Sequence, residues 1–592
     1  MILKDKSATF KQWIKYDSDD LAEQFTRISN IPKVSATILA NRVDSINMVD
    51  SFLNPKIKTQ MQSPLLLKDM QTACDILLQA IQTNQQVLIL SDYDVDGITS
   101  ATILSKYLKH MQASIQVYIP DRYTEGYGLS ALSLSNILKL KFDVLILLDN
   151  GSSSITEVAT LLQHNKQVII IDHHAVDVTM PPAQAFINPK RVDDLSKNEN
   201  LCTVGLVFLY IVALNRIIQN ENYFIKNSIN PVNILGYLDL VALGTVADMV
   251  PLIGLNRAYV LQGIKILQQR NNLPLKTLAD TLKINKPLET QDLAFSISPC
   301  INAGSRMGFN TLSFDLLNAN TEEDALKLAE KVVSVNNNRK IEEDKIIQAA
   351  VQEIREQNLE NNSVIFVGSK HWIAGVIGII AGRVKEIYHL PTCIFSIDTK
   401  TNTATASGRS ITGVDLGNII IAAKQKGLLI KGGGHSQAVG FTFHLSKQEE
   451  LFQFLNQKIS SLLNSKESNI GTFMVDNILN IHEINQNFTR EIQKLQPFGN
   501  FFAEPYFMLP KVVLKNVKQI GSMKNHISCE VYGNYNFKLK AFCYKCLPSL
   551  LGEFLLKSNE SPVDLLVSIQ LNFFKGKYYN NLIIKDAASC DS

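Results

Sequence analysis

Three short apolar runs, Val87 to Leu90 (VLIL), Val144 to Leu148 (VLILL) and Val168 to Ile171 (VIII), do most to limit what this 592-residue chain can become. Each is uninterrupted and bounded by polar residues, the pattern of strands buried on both faces of a parallel sheet. Amphipathic stretches separate them, so the expected class is α/β. Each run also leads into an acid: Ser91 and Asp92 follow the first, Asp149 the second and Asp172 the third. In an open parallel sheet the carboxyl ends of the strands line one crevice, where ligands bind. The feature that predicts the fold therefore also predicts a site.

The first strand end is the richest in charge. SDYDVDGITSA places Asp92, Asp94 and Asp96 on alternate residues, and carboxylates so close repel one another unless cations lie between them. An EF-hand loop opens in the same way, but its twelfth position, which should be a bidentate Glu, is Ile103, and a strand precedes it where a helix is required. Three solvated loop acids are the plain alternative. That alternative weakens when the other strand ends are included, because Asp149 is followed by Asn150, Gly151 and Ser152, and Asp172 by His173 and His174. A fourth contribution is expected from YLDLVALGTVADMVPL, where Asp248 is preferred to Asp239 because it ends the apolar run beside Pro251. Carboxylates and imidazoles without thiolates suit Mn²⁺ or Mg²⁺. Five or six such ligands exceed the needs of one ion and indicate two, about 3.5 to 4 Å apart, an arrangement suited to phosphoester hydrolysis.

The rest of the chain divides by pattern. Residues 1–80 read as a helical cap broken by Pro32, Pro55 and Pro64, and residues 81–315 as the metal-bearing domain. Residues 316–358 read as one or two long connecting helices, 359–462 as a smaller glycine-rich α/β domain, and 463–592 as strands of a small β-barrel or sandwich. The eight cysteines are scattered, which points to a reducing compartment, and Cys543 and Cys546 form a CxxC with no partner pair, so zinc is not expected there. The first residues lack an apolar leader segment, and the longest nearly apolar stretch, Leu201 to Leu214, falls short of the roughly 18 to 20 residues of a membrane span. A cytoplasmic protein without a membrane partner is expected. The formal net charge of +3 is too even to announce a polyanion. Locally the balance differs: Lys511, Lys515, Lys518, Lys524, Lys538, Lys540 and Lys545 face one acid, Glu530, and are interleaved with Tyr532, Tyr535, Phe537, Phe542 and Tyr544. Phe573, Phe574, Tyr578 and Tyr579 follow beside Lys575 and Lys577. Basic strands with aromatic faces suit single-stranded nucleic acid, although strand alternation must bury some of these rings.

Four segments, DYDVDG, LLDNGSS, IDHH and LGTVADMVPL, resemble in order the four motifs of the DHH phosphoesterase superfamily, and INAGSRMG, GVIGIIAGR, SGRS and KGGGHSQAVGF resemble segments of its bacterial RecJ branch. The resemblance covers essentially the whole chain. It implies a DHH domain with a parallel sheet, a long connecting helix, a DHHA1 domain and a C-terminal OB-like barrel. It implies a 5′-to-3′ exonuclease specific for single-stranded DNA, acting in repair and recombination with two Mn²⁺ or Mg²⁺ ions and releasing mononucleotides through a groove too narrow for duplex.

Carried onto this chain, the resemblance makes Asp94, Asp96, Asp149, His173 and Asp248 direct metal ligands and Asp92, Asp172 and His174 supporting or additional ones. It places Arg306 and Arg122 at the scissile phosphate, with Asn302 a weaker candidate, and Arg383, Ser407 and Arg409 in a pocket for the 5′ end. Taken singly, each arginine could equally be a surface residue. Gly432, Gly433, Gly434 and His435 match neither the P-loop nor the dinucleotide pattern, so ATP and NAD are not supported. They read either as a tight turn or, by resemblance, as a substrate-facing segment; His371 and Trp372 rank lower. A monomer, with a single-strand-binding protein and a helicase as partners, is the further implication. The alternative function is a DHH phosphodiesterase for short oligoribonucleotides or cyclic dinucleotides, against which the basic, aromatic tail argues. A noncatalytic scaffold would have eroded ligands, and here they are intact.

Overall fold

A computed structural model describes residues 1–29, 31–221, 223–464, 471–521, 524–533, 537–574 and 577–590. The chain forms two compact units, one of Asp50–Lys340 with Pro497–Ala503, the other of Met1–Val49, Ile341–Gln496 and Glu504–Ser592.

The first unit is built on a five-stranded parallel sheet in the order Ile115–Tyr118, Val87–Ser91, Val144–Leu148, Gln167–Ile171 and Ala185–Ile187. Leu88, Leu90, Leu145, Leu147, Val168 and Ile170 enter the core on one face, and Val87, Ile89, Val144, Ile146, Ile169 and Ile171 the core on the other. Two covered faces explain the apolar runs without alternation. Strand order reverses between Val87–Ser91 and Val144–Leu148, so the crevice predicted from the runs opens at that switch point. Helix Thr203–Asn220 extends the apolar stretch beyond Leu214 and is long and apolar enough to cross a membrane, but most of it is buried in this core.

The second unit contains a five-stranded sheet in the order Lys431–His435, Ala438–His444, Thr403–Arg409, Thr392–Asp398 and Ile365–Ser369, antiparallel except for its last pair. It also contains a barrel of Phe507–Ile520, His526–Tyr532, Lys538–Cys543, Lys577–Ser589 and Pro562–Phe574, closed by pairing of the first strand with the last. Of the two tail folds expected, the barrel forms. The glycine cluster is an edge strand and not a tight turn: Lys431 to His435 pairs residue for residue with Thr442 to Ala438. Residues 320–358 supply one 35-residue helix, Glu322–Glu356.

Within residues 1–80 the expected helices form at Asp19–Ser29, Lys33–Ala40 and Met70–Gln82, but the first fifteen residues depart from that reading. Ile2–Lys4 and Gln12–Lys15 are strands, and the second pairs in parallel with Thr472–Val475. Tertiary contacts override the local pattern here: Trp13 is fully buried with its indole N–H donated to Asp586 at 3.1 Å. The Lys4 ammonium lies 2.7 Å from Asp564 with both side chains nearly inaccessible, and Arg42 pairs with buried Asp476. Removing one partner of a buried pair strands the other charge. Lys4→Ala should therefore lower the stability of the barrel by about 3 kcal/mol, read from urea unfolding followed by Trp13 fluorescence in a Trp372→Phe background; an unchanged midpoint would refute the coupling.

Candidate metal centre

The parallel register sets the acids side by side. The Asp92 N–H donates to the Leu148 carbonyl at 3.1 Å, that of Asp149 to Ile171 at 3.1 Å, and that of Asp172 to Ile187 at 3.0 Å, so the three acids end neighbouring strands in one row. Asp94 caps the helix Val95–His110 by accepting from the Gly97 N–H at 3.1 Å, which places Asp96 in the first turn. Gly97 is required by crowding, since a Cβ there would lie 2.4 Å from the Asp92 carbonyl oxygen. Asp96 meets a second helix end: its oxygens accept from the backbone N–H groups of Thr203 and Val204 at 2.7 and 2.8 Å. Unpaired N–H groups and the helix dipole there favour a carboxylate.

His173 joins these elements. Its Nε2 lies 3.4 Å from Asp149 Oδ1, 3.6 Å from Asp248 Oδ2 and 3.9 Å from Asp96 Oδ2. Three overlapping groups have donor atoms within 4.8 Å of one another: Asp149 with His173 and His174, Asp96 with His173 and Asp248, and Asp92 with Asp94 and Asp149. Two buried oxygens here, Asp92 Oδ1 and Asp248 Oδ2, have no hydrogen-bond partner, which is costly unless a cation takes their lone pairs. The donor set and its orphaned oxygens fit Mn²⁺ or Mg²⁺.

Asp172 differs from its neighbours. It accepts from the backbone N–H groups of His173 and His174 at 2.8 and 3.2 Å and from that of Ser152 at 3.1 Å, and contacts His174 Nδ1 at 2.7 Å. A carboxylate so engaged orients the imidazoles instead of offering free lone pairs. Asp239 lies apart, bonded to Asn272 and the Leu240 N–H.

Crowding makes these acids reluctant to ionise. Burial, reinforced by Asp94, pushes Asp96 up to about 7, and burial with the charges of Asp96 and Asp94 pushes Asp248 up to about 8. Burial and neighbouring carboxylates raise Asp149 and Asp92. Burial keeps His173 neutral, at about 3. It also opposes charge on His174, but the bond to Asp172 outweighs it and lifts that imidazole to about 9.

Arg122 stacks on Tyr93, 5.0 Å from the ring centre, and its charge and that of Arg306 both act on Tyr93 between Asp92 and Asp94. Arg306 ends helix Ser298–Arg306, one turn beyond half-buried Asn302, and its carbonyl accepts from the Tyr123 hydroxyl. The remaining expected residues belong to the other unit. Arg409 donates to Ser407 Oγ at 3.2 Å, and a Cβ on Gly378 would lie 3.0 Å from that oxygen, so the helix Ile377–Tyr388 that carries Arg383 closely approaches their strand. His435 is exposed at the end of the glycine strand. His371 is exposed, whereas Trp372 is a core residue.

On the barrel, Lys515 and Lys538 sit over the Tyr532 ring at 4.8 and 5.7 Å, Lys540 over Phe542 at 5.1 Å, and Phe542 stacks on exposed Tyr544 with ring centres 5.9 Å apart. Tyr578 and Tyr579 are exposed. Tyr535, Lys575 and the side chains of Phe573 and Phe574 lie outside the described residues. Two contributors were invisible in sequence. Thr203 donates its hydroxyl to Asp149 at 2.9 Å, and Tyr127 donates to the Asp149 carbonyl at 2.5 Å while lying 3.3 Å from His174. The apolar stretch Leu201 to Leu214 spans Thr203 and gives no hint that the residue faces Asp149.

Comparison with known proteins follows the same divisions. The DHH family N-terminal domain matches residues 86–245, the DHHA1 domain 339–461 and the RecJ OB domain 475–586. The single-stranded-DNA-specific exonuclease RecJ of Escherichia coli (strain K12) is 30% identical over 455 residues, covering 74% of this chain and 78% of that protein. The chain belongs to the RecJ family. The RecJ protein of Bacillus subtilis (strain 168) is 27% identical over 588 residues, 98% of this chain and 71% of its own length. The crystal structure of RecJ in complex with Mn²⁺ from Thermus thermophilus superposes with a TM-score of 0.78 at 21% identity, over 97% of this chain and 78% of that one. The RecJ fold thus extends over nearly the full length. The DHHA1 match begins at 339, inside the stretch expected as connecting helices, because Ile346, Ala350 and Ile354 of the long helix belong to the core beneath that domain's sheet.

Between about pH 6.5 and 9 the folded centre holds protons that the unfolded chain has lost, on Asp96 up to about 7, on Asp248 up to about 8 and on His174 up to about 9, and these outweigh the fraction of a proton that unfolded His173 binds at the low end of the window. More protons on the folded side mean that stability falls as pH rises. The metal-free protein should therefore lose thermal stability across this window, and Mn²⁺ should restore it while displacing protons. Differential scanning calorimetry in EDTA and in Mn²⁺ checks both; a metal-free melting temperature that climbs from pH 6.5 to 9 would contradict the charge arrangement.

Proposed function

We propose that the chain is a metal-dependent exonuclease that degrades single-stranded DNA from its 5′ end and releases mononucleotides. The observation that carries this reading is the convergence of Asp96, Asp149 and Asp248 on one imidazole, with Asp92 and Asp94 adjoining, at the switch point of the parallel sheet. Related proteins named single-stranded-DNA-specific exonucleases, and a RecJ crystallised with Mn²⁺, support it.

Asp94, Asp96, Asp149, His173 and Asp248 would hold the metal pair, with Asp92 and His174 beside them and Asp172 fixing the two histidines. Such a pair, when bound, activates water and neutralises charge at phosphorus. The protein's own task is positional. The N-terminus of Thr203–Asn220 holds Asp96, and Arg122 and Arg306 supply planar donors for the non-bridging phosphate oxygens, where charge develops. Arg383, Ser407 and Arg409, with His435 nearby in the same domain, offer donors for a 5′ terminus. The barrel supplies Tyr532, Phe542 and Tyr544 as stacking faces flanked by Lys515, Lys538 and Lys540.

The test uses purified protein, Mn²⁺ and end-labelled substrates. Loss of 5′ label as mononucleotide from single-stranded DNA, with duplex and RNA resistant, is the expected result. Preference for two- to four-nucleotide RNA would replace the proposal with an oligoribonucleotide phosphodiesterase. Asp149→Ala should cut the rate by more than about 100-fold, and a variant as fast as the parent would remove Asp149 from the centre. Tyr544→Ala should weaken binding of single-stranded DNA by about 1 to 3 kcal/mol in a fluorescence titration. Substituting Lys540 should lower the salt slope of that binding by about one; unchanged curves for both would exclude this face.

A further inference from the structure

The segment Pro497–Ala503 belongs by sequence to the stretch that leads into the barrel, yet it is part of the compact unit that holds the metal centre. It forms a small antiparallel hairpin in which Gly499 N–H donates to the Phe502 carbonyl at 2.9 Å and Phe502 N–H to that of Gly499 at 3.2 Å. Asn500 and Phe501 make the tip, with Phe501 in the left-handed region at φ 62°. Behind the tip the anchor is a fully buried cation. Arg257 donates Nε to the Phe52 carbonyl at 2.8 Å and Nη1 to the Pro497 carbonyl at 2.9 Å, and its guanidinium lies 3.9 and 4.9 Å from the ring centres of Phe52 and Phe502. Phe502, also fully buried, packs 4.4 Å from Phe52 and 5.5 Å from Phe498. A buried guanidinium met by carbonyls and aromatic faces holds the hairpin in one place.

The tip grips the residues that follow Asp248. Asn500 Nδ2 donates to the Met249 carbonyl at 2.8 Å, and the Asn500 carbonyl accepts from the Leu252 N–H at 3.1 Å. Gly499 lies so close beneath that a Cβ would be 2.6 Å from Leu252 Cδ1. Met249 is itself left-handed, at φ 57°, a conformation that a non-glycine residue keeps only where its surroundings dictate it. Asp248 caps the helix Leu238–Ala247, and the Met249 N–H still reaches back to the Val246 carbonyl at 3.3 Å; beyond that bond the turn is held from outside the helix, by Asn500 and, at the Pro251 carbonyl, by Asn256 Nδ2 at 3.0 Å.

We infer that Asn500 is a positioning residue for Asp248: hydrogen bonds on both sides of the turn 249–252 hold the backbone that aims the Asp248 carboxylate at His173. The barrel-proximal chain thereby supplies an outer support of the metal centre, although it contributes no ligand. Outer partners of this kind govern metal affinity by limiting where a ligand can move. The inference rests on the reading of Asp248 as a metal ligand, and the test separates the two.

Mn²⁺ affinity is measured from the electron paramagnetic resonance signal of the free ion, with full-length protein, alongside the melting temperature in EDTA. Asn500→Ala should weaken the tighter Mn²⁺ site by about tenfold while shifting the metal-free melting temperature by no more than about 2 °C. Asn500→Gln, which restores an amide donor, should recover most of that affinity, and kcat should fall more than KM rises in the alanine variant. Unchanged Mn²⁺ affinity in Asn500→Ala, with a clear loss in Asp248→Ala, would overturn this inference alone. Unchanged affinity in Asp248→Ala would overturn the ligand assignment beneath it. A loss of affinity in Asn500→Ala matched by a large fall in the EDTA melting temperature would mark Asn500 as merely structural and also overturn the inference.

Discussion

Mutual repulsion among buried carboxylates is the constraint on which the rest of the catalytic unit depends. Asp92, Asp96, Asp149 and Asp172 are almost wholly inaccessible and crowd one crevice at the strand ends, an arrangement that costs free energy in the absence of cations. The fold opposes that cost with fixed dipoles and orienting bonds. The N-terminus of Thr203–Asn220 addresses Asp96, the Thr203 hydroxyl addresses Asp149, and three backbone N–H groups address Asp172. A rigid parallel sheet with both faces covered prevents the acids from moving apart.

The division of roles among similar residues follows from what surrounds each one. Asp172 and Asp149 end neighbouring strands, but Asp172 is engaged by N–H donors and His174 while Asp149 faces other acids, so one is held ionised and the other resists ionisation. Asp239 and Asp248 begin and end one helical segment, yet Asn272 takes the first and the centre takes the second. The second unit shows the same economy with opposite charge. Glu530, the one acid between Lys511 and Lys545, is ringed by Lys538, Asn516 and the Tyr532 hydroxyl, while the Lys515 and Lys540 ammonium groups lie over the Tyr532 and Phe542 rings. The near-zero total charge conceals this local imbalance, seven lysines to one acid between Lys511 and Lys545.

Much of this was legible in the sequence, because short-range pattern controls it. The apolar runs pointed to covered strands, the acids at their ends to a shared crevice, and the interleaved Lys and aromatic residues to strands of the tail. What failed to show was long-range. Residues 1–15 carry no signal for pairing with a strand more than 450 residues away, and the burial of Trp13 and Lys4 there depends on partners such as Asp586 and Asp564. The glycine cluster reads as a turn in isolation, since nothing local discloses the partner strand that holds it extended.

The sequence by itself determined the fold class, the acids that end its strands and the chemistry such acids suit, because each is set by residue type and by order along the chain. Only the tertiary structure decided which acids are engaged and which are left open, where the arginines point, and that Asn500, some 250 residues after Asp248, braces its turn. Those outcomes depend on distances of about 3 Å between segments remote in sequence. Such proximity arises from packing of the whole core and leaves no periodicity, spacing or composition by which a linear reading could find it.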